Sequence, residues 1–287
     1  MKSLITTDST CDLTSELYKK YNIKVLPLMV TLGDKTYQDG VDIKPDDIYA
    51  HFDKTGELPK TGARSPEDFH DFFKKYTDEG YEIVHIGIGS DLSSSFNNAT
   101  IASKDLKGVY IVDSKNLSSA IGLLCMYASE LASSGKFTAE EIAKKVEERV
   151  PNTQASFIVE KLKFLYKGGR CSMLAMLGAN LLRIKPGIQV KDGKLGVGKK
   201  YMGAYLSCMQ KYIEDTLKTY NNPDNTRIMI TYSTATPEMI DLAKKTVEKL
   251  GHFKEILPTQ AGSVINSHCG QNTLGVLFIN DGDEGHY

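Results

Sequence analysis

Ile86-Gly87-Ile88-Gly89-Ser90-Asp91-Leu92-Ser93-Ser94-Ser95-Phe96-Asn97-Asn98-Ala99 reads as a strand, a loop of small residues and then a helix. The β-rich run that enters it spans Glu82–Ile88. Three more such runs stand in the first half, at Leu4–Thr6, Val25–Val30 and Val109–Val112. Helices with clear start signals lie between them. Ser65-Pro66-Glu67-Asp68 offers an N-cap Ser, Pro at the first helical position and an acidic third residue. Thr138-Ala139-Glu140-Glu141 is a capping box, and Ile142, Val146 and Val150 follow it at i, i+4, i+8 as one apolar stripe. Strands alternating with helices predict an α/β fold, a Rossmann-like parallel sheet flanked by helices.

Pro151-Asn152-Thr153 ends that pattern, so residues 1–153 are expected to form one domain and 154–287 a second. The second half opens with a short strand at Ala155–Val159 and an apolar helical stretch around Met173–Leu182. Asp192-Gly193 is a hairpin signal between Gly187–Val190 and Lys194–Val197. A helix fits Ala204–Tyr220, a strand Arg227–Tyr232, and Thr236-Pro237-Glu238 starts another helix. Strands near Lys254–Leu257 and Leu274–Ile279 complete an α+β domain with a mixed or antiparallel sheet.

Length supports two domains: 287 residues exceed the usual single core. The 41% hydrophobic content supplies that core and leaves residues to line a pocket. A net charge of −1 gives no basic excess for a nucleic acid, so none is expected as a partner. Asp8 follows only a short apolar run, so no secretory leader is read. The longest apolar run, about Ala120 to Ala128, falls far short of the roughly 18 residues a membrane span needs, so no stable membrane insertion is expected. The five cysteines are scattered, without a C-x-x-C, and the six histidines are dispersed. They are read as reduced thiols in a cytoplasmic protein with no metal site.

The strand-to-helix loop is where an open α/β sheet binds ligands. The free N–H groups of a helix start suit an anion. Ser93 stands there with a hydroxyl, either as a ligand donor or simply as a helix cap. The segment lacks the third glycine of a dinucleotide fingerprint, because Leu92 occupies that place. It also lacks the G-x-S-x-G of a nucleophile elbow. Thr61, in Pro59-Lys60-Thr61-Gly62-Ala63-Arg64-Ser65-Pro66, is read as a loop residue before another helix start. In Tyr166-Lys167-Gly168-Gly169-Arg170-Cys171-Ser172, paired glycines bring Lys167 and Arg170 into one compact turn. Arg suits a carboxylate, though a helix C-cap with a solvated Arg fits equally. Gly193-Lys194-Leu195-Gly196-Val197-Gly198-Lys199-Lys200 approaches a P-loop but ends in Lys200 and sits in a hairpin. His268, in Val264-Ile265-Asn266-Ser267-His268-Cys269-Gly270, is read as lying on a polar loop.

In order along nearly the whole chain, these segments resemble the DegV family of bacterial fatty-acid-binding proteins. Thr7-Asp8-Ser9-Thr10-Cys11-Asp12-Leu13 is similar to its D-S-T-x-D-L start, and Asp39-Gly40-Val41-Asp42-Ile43 to its D-G-x-D segment. Thr61 through Pro66 resembles its T-S-x-P-S loop, and Leu92-Ser93-Ser94-Ser95-Phe96 its L-S-G-T-Y. Tyr110-Ile111-Val112-Asp113-Ser114, Lys167-Gly168-Gly169-Arg170 and Ile184-Lys185-Pro186 resemble three further blocks. The resemblance implies one long-chain fatty acid between the two domains, its tail in the N-terminal one. It implies that Thr61 and Ser93 hold the carboxylate, with Arg170 and His268 near the head group. It further implies delivery of the acid to a separate fatty acid kinase, no catalysis by the chain itself, and no cofactor. Gly62 and Ser94 depart from the family pattern but leave both hydroxyls in place. The family's T-H-T-G-P-G is here Ser267-His268-Cys269-Gly270-Gln271-Asn272, without the Pro-Gly turn, and no Arg stands near Lys200-Tyr201-Met202. Leu26, Leu28, Ile86, Ile88 and Leu123 are candidates for the tail tunnel or for ordinary sheet core. The rival reading is an enzyme, a hydrolase or phosphotransferase, using Ser93 and His268.

Overall fold

The structure, a computed structural model, describes residues 2–171 and 184–282. The stretch Met173–Leu182 lies outside them. Thirteen strands are present among the described residues: β1 (Lys2–Asp8), β2 (Lys24–Leu26), β3 (Met29–Leu32), β4 (Lys35–Gln38), β5 (Lys60–Gly62), β6 (Tyr81–Gly87), β7 (Val109–Asp113), β8 (Thr153–Val159), β9 (Lys185–Lys191), β10 (Lys194–Tyr201), β11 (Arg227–Tyr232), β12 (Glu255–Gln260) and β13 (Thr273–Ile279). The helices are α1 (Ser15–Lys20), α2 (Pro45–Thr55), α3 (Pro66–Asp78), α4 (Ser95–Ser103), α5 (Ser119–Ser134), α6 (Ala139–Arg149), α7 (Lys163–Lys167), α8 (Tyr205–Thr219), α9 (Pro237–Leu250) and α10 (Ser263–Cys269).

They make three sheets. The first is parallel, in the order β2-β1-β6-β7. A small antiparallel sheet, β4-β3-β5, stands beside it. The third, β10-β9-β8-β13-β11-β12, is antiparallel except for its β11–β12 edge. The expected α/β and α+β pairing is therefore present. The single strand expected over Val25–Val30 is two strands, β2 and β3, in different sheets. Pro27 stands between them, and a proline cannot donate to a sheet ladder.

The apolar run Ala120–Ala128 forms the middle of α5, which is buried from Ser119 to Ser129. A helix apolar on all sides must be covered on all sides. α5 packs on β1 and β6 of the parallel sheet and on β8, β11 and β13 of the large one. One hydrophobic core consequently joins the halves: Val84, Leu124 and Met126 share it with Ala155, Ile188 and Leu277. The helix starts read at Ser65, Thr138 and Thr236 are the observed ones. Ser65 accepts from Asp68 N–H, Thr138 from Glu141 N–H and Thr236 from Met239 N–H. The Asp192-Gly193 turn has positive φ at both residues, 50° and 81°, as a tight hairpin requires.

A buried cation ties the end of α6 to the second half. Arg149 Nε and Nη2 donate to Asp281 at 2.8 and 2.7 Å, and Nη2 donates to Asp224 at 2.8 Å. Its guanidinium also lies 4.6 Å from the Tyr127 ring centre. Removing one member leaves buried charge uncompensated, which costs about 3–5 kcal/mol. Arg149→Gln is expected to lower unfolding stability in urea by about that amount, whereas a change under about 0.5 kcal/mol would show that the cluster carries no weight.

Candidate functional site

Three parallel strands end at one place. Leu28 lies just beyond β2, Ile88 just beyond β6 and Leu117 beyond β7, and all three line a cavity of about 260 Å³. The opposite wall comes from the second half, with Phe157 on β8, Leu195 on β10 and Ile265 on α10. Thr61, Ser93, Arg170 and His268, separated by up to 207 residues, all line this cavity. Of the tunnel candidates, Leu28 and Ile88 are in its wall. Leu26, Ile86 and Leu123 are buried in the surrounding cores instead.

The polar residues reach the cavity in different ways. Ser93 is carried by the loop after β6, where Gly87 and Gly89 permit close approach. A side chain at Gly87 would stand 2.7 Å from Asp8 Oδ2, and one at Gly89 would stand 2.9 Å from the Asn116 backbone nitrogen. The Gly-Ile-Gly spacing thus serves packing. α4 begins at Ser95, two residues after Ser93, and Ser93 Oγ accepts from Ser95 N–H at 3.2 Å. Its hydroxyl also lies 3.1 Å from Ser95 Oγ.

Thr61 lies on β5, paired with Val30, and not on a free loop. His268 lies on α10, and not on a polar loop. The two meet across the halves, with Thr61 Oγ1 2.9 Å from His268 Nε2. Arg170 follows the turn that ends α7. Gly169 adopts φ +70°, and Arg170 Nη1 donates back to the Gly168 carbonyl at 2.9 Å. Gly168 also makes room for the imidazole, since a Cβ there would stand 2.7 Å from His268 Nδ1.

What holds α10 was not read from the sequence. Its first turn has no side-chain cap of its own. Asp12 Oδ1 accepts from Gly262 N–H and Asp39 Oδ1 from Ser263 N–H, both at 2.7 Å. Asp12 is fixed in turn by the Ser118 hydroxyl, and Asp39 by the Ser9 hydroxyl at 2.9 Å. Asp8 accepts from Ile88 N–H at 2.9 Å at the end of β6. Burial raises the pKa of all three carboxyls, while their hydrogen bonds oppose that shift.

Burial, and secondarily the Arg170 cation, pushes the His268 pKa down to about 4, so the ring is neutral at pH 7. Among the described residues, no hydrogen bond joins Ser93 to His268, the pair the enzyme reading requires. No His/Cys/Asp/Glu group there could hold a metal ion. No described helix is long and apolar enough to cross a membrane.

The family model for DegV, described as an uncharacterised protein family, matches residues 2–281. The chain belongs to the DegV family. A DegV domain-containing protein of Clostridium acetobutylicum is 34% identical over 281 residues, covering 97% of this chain and 98% of that one. A protein of Thermotoga maritima named fatty acid-binding protein is 32% identical, covering 96% of each chain. Among solved structures, a fatty-acid-binding DegV family protein from Thermus thermophilus superposes with a TM-score of 0.89 at 26% identity, covering 98% of this chain and all of that one.

The imidazole gives a direct check. The His268 ring proton resonances are expected to titrate near pH 4. Arg170→Ala should raise that value while leaving it below 6.5, because burial is the larger cause. A neutral buried ring binds fewer protons than the unfolded chain, so this group's contribution to stability falls as pH drops from about 6.5 toward 4. Titration near 6.5 in the wild type would contradict the burial.

Proposed function

We propose that this chain binds a single long-chain fatty acid in the cavity between its halves, residues 1–153 and 154–287, and holds the carboxylate at the mouth. The observation that carries the reading is the convergence of Thr61, Ser93, Arg170 and His268 on one largely apolar-walled cavity. The named activity of the Thermotoga relative and of the Thermus structure supports the same ligand class.

The chemistry fits a carboxylate. Buried N–H groups without acceptors are rare. His268 Nδ1 is buried with no hydrogen-bond partner among the described residues, which favours the tautomer with its proton on Nε2. Nε2–H then donates to Thr61 Oγ1, leaving the Thr61 hydrogen to donate into the cavity. Ser93 supplies a second hydroxyl, and Arg170, which is exposed, supplies fixed positive charge at the opening. Two hydroxyl donors and a nearby cation are enough to set the direction of an amphiphile whose tail supplies the binding energy. Burying about 15 methylenes gains roughly 12 kcal/mol gross, much of it lost to ordering and association.

In this reading the protein is a carrier without cofactor or catalysis of its own, working in the cytoplasm. The partly buried hydroxyls and the exposed Arg170 leave the carboxylate within reach of a partner. That position suits presentation to a separate fatty acid kinase.

The test is affinity for a C16–C18 acid in the Thr61→Ala, Ser93→Ala double variant. Loss of two hydrogen bonds to a charged group should weaken binding by about two orders of magnitude. Unchanged affinity would remove both residues from the head-group role.

A further inference from the structure

A second, smaller cavity of about 30 Å³ adjoins the first. Leu117, Phe157, Ile265 and Cys269 belong to the walls of both. The far side of this annex is the large sheet, where Ala155, Gly275 and Leu277 line it. We propose that the annex receives the methyl end of the bound acyl chain, and that Phe157 with the small residues behind it sets the longest tail the protein accepts. The proposal rests on the fatty-acid reading of the main cavity and places the tail end against the second half, in place of the N-terminal position that the family resemblance implies.

The annex is built to stay dry. Five Ser and Thr residues line it, yet each hydroxyl oxygen already has a protein partner. Ser118 donates to Asp12, Ser156 pairs with the Tyr212 hydroxyl at 2.8 Å, and Thr231 pairs with Thr259 at 2.9 Å. Ser233 accepts from Thr273 N–H at 3.0 Å, and Thr273 donates to the Cys269 carbonyl at 3.1 Å. With those groups satisfied, a water entering would find few partners, while a methyl group loses nothing. The volume exceeds the roughly 10–15 Å³ one water-sized sphere needs, so a terminal methyl fits.

A glycine and an alanine keep the space open. Gly275 lies opposite Phe157 across the β8–β13 ladder. A Cβ there would stand 2.6 Å from the Ser156 carbonyl and 3.2 Å from Phe157 Cβ, so no side chain fits. Ala155 shares β8 with Phe157 and the same face of that strand, is 3% exposed, and opens the same floor. Phe157 is the largest of the four shared wall residues, and its ring sets how much of the annex the tail can reach.

The experiment measures the fatty acids held by wild type, Ala155→Val and Phe157→Leu after exposure to an equimolar mixture of C14, C16, C18 and C20 saturated acids. Acids are extracted and quantified by mass spectrometry, with total acid per chain and circular dichroism as controls. Ala155→Val plugs the annex and should lower the preference for the longer acids by about fourfold per methylene excluded. Phe157→Leu widens the passage and should shift the preference the opposite way. An unchanged length profile in folded, loaded variants would overturn the annex as the tail terminus. Should Ala155→Val not fold, the direction of the Phe157→Leu shift decides alone. A wild type that takes up no acid would instead overturn the fatty-acid reading itself.

Discussion

The site depends on two buried carboxylates gripping the start of one short helix. Asp12 and Asp39 come from the first half, and the N–H groups they accept from, Gly262 and Ser263, open α10 in the second. A carboxylate buried this deeply is costly unless its oxygens are satisfied. The raised pKa of each group reports that cost, and the hydrogen bonds from α10 offset part of it. The helix in turn delivers His268 to Thr61 and Ile265 to the cavity wall. Tyr49 adds a further tie by donating to Asn266 on the same helix. This grip sets where His268 and Ile265 stand relative to Thr61 and the strand ends of the first half.

The second constraint is α5. Because it is apolar all round, both sheets must cover it, and the halves share a core. The cavity lies where that shared packing gives out, at the carboxyl ends of β2, β6 and β7. Residues inside the strands, such as Leu26 and Ile86, are consumed by the cores. Residues just past the strand ends, Leu28 and Ile88, are left to face the opening. Ligand binding at strand ends follows from this geometry in any open parallel sheet.

The sequence disclosed what local chemistry controls. Helix caps at Ser65, Thr138 and Thr236 and the Asp192-Gly193 hairpin are signals spanning a few residues, and each stands where it was expected. The ordered motif blocks also singled out Thr61, Ser93, Arg170 and His268, all of which line the cavity. α10 was not, because the groups that start it are 224 and 250 residues away in the chain. Its own residues offer no cap and little periodicity. β5 escaped for the same reason: three residues become a strand only because Met29–Thr31 of β3 lies beside them. The split of Val25–Val30 turned on Pro27, a local signal that the apolar pattern around it masked.

The central claim is that the space between the halves holds one fatty acid. Denaturing mass spectrometry of lipid extracted from freshly purified protein tests it most directly. The account predicts a single long-chain fatty acid per chain. Protein that carries no lipid and takes up neither palmitate nor oleate when these are added would contradict it.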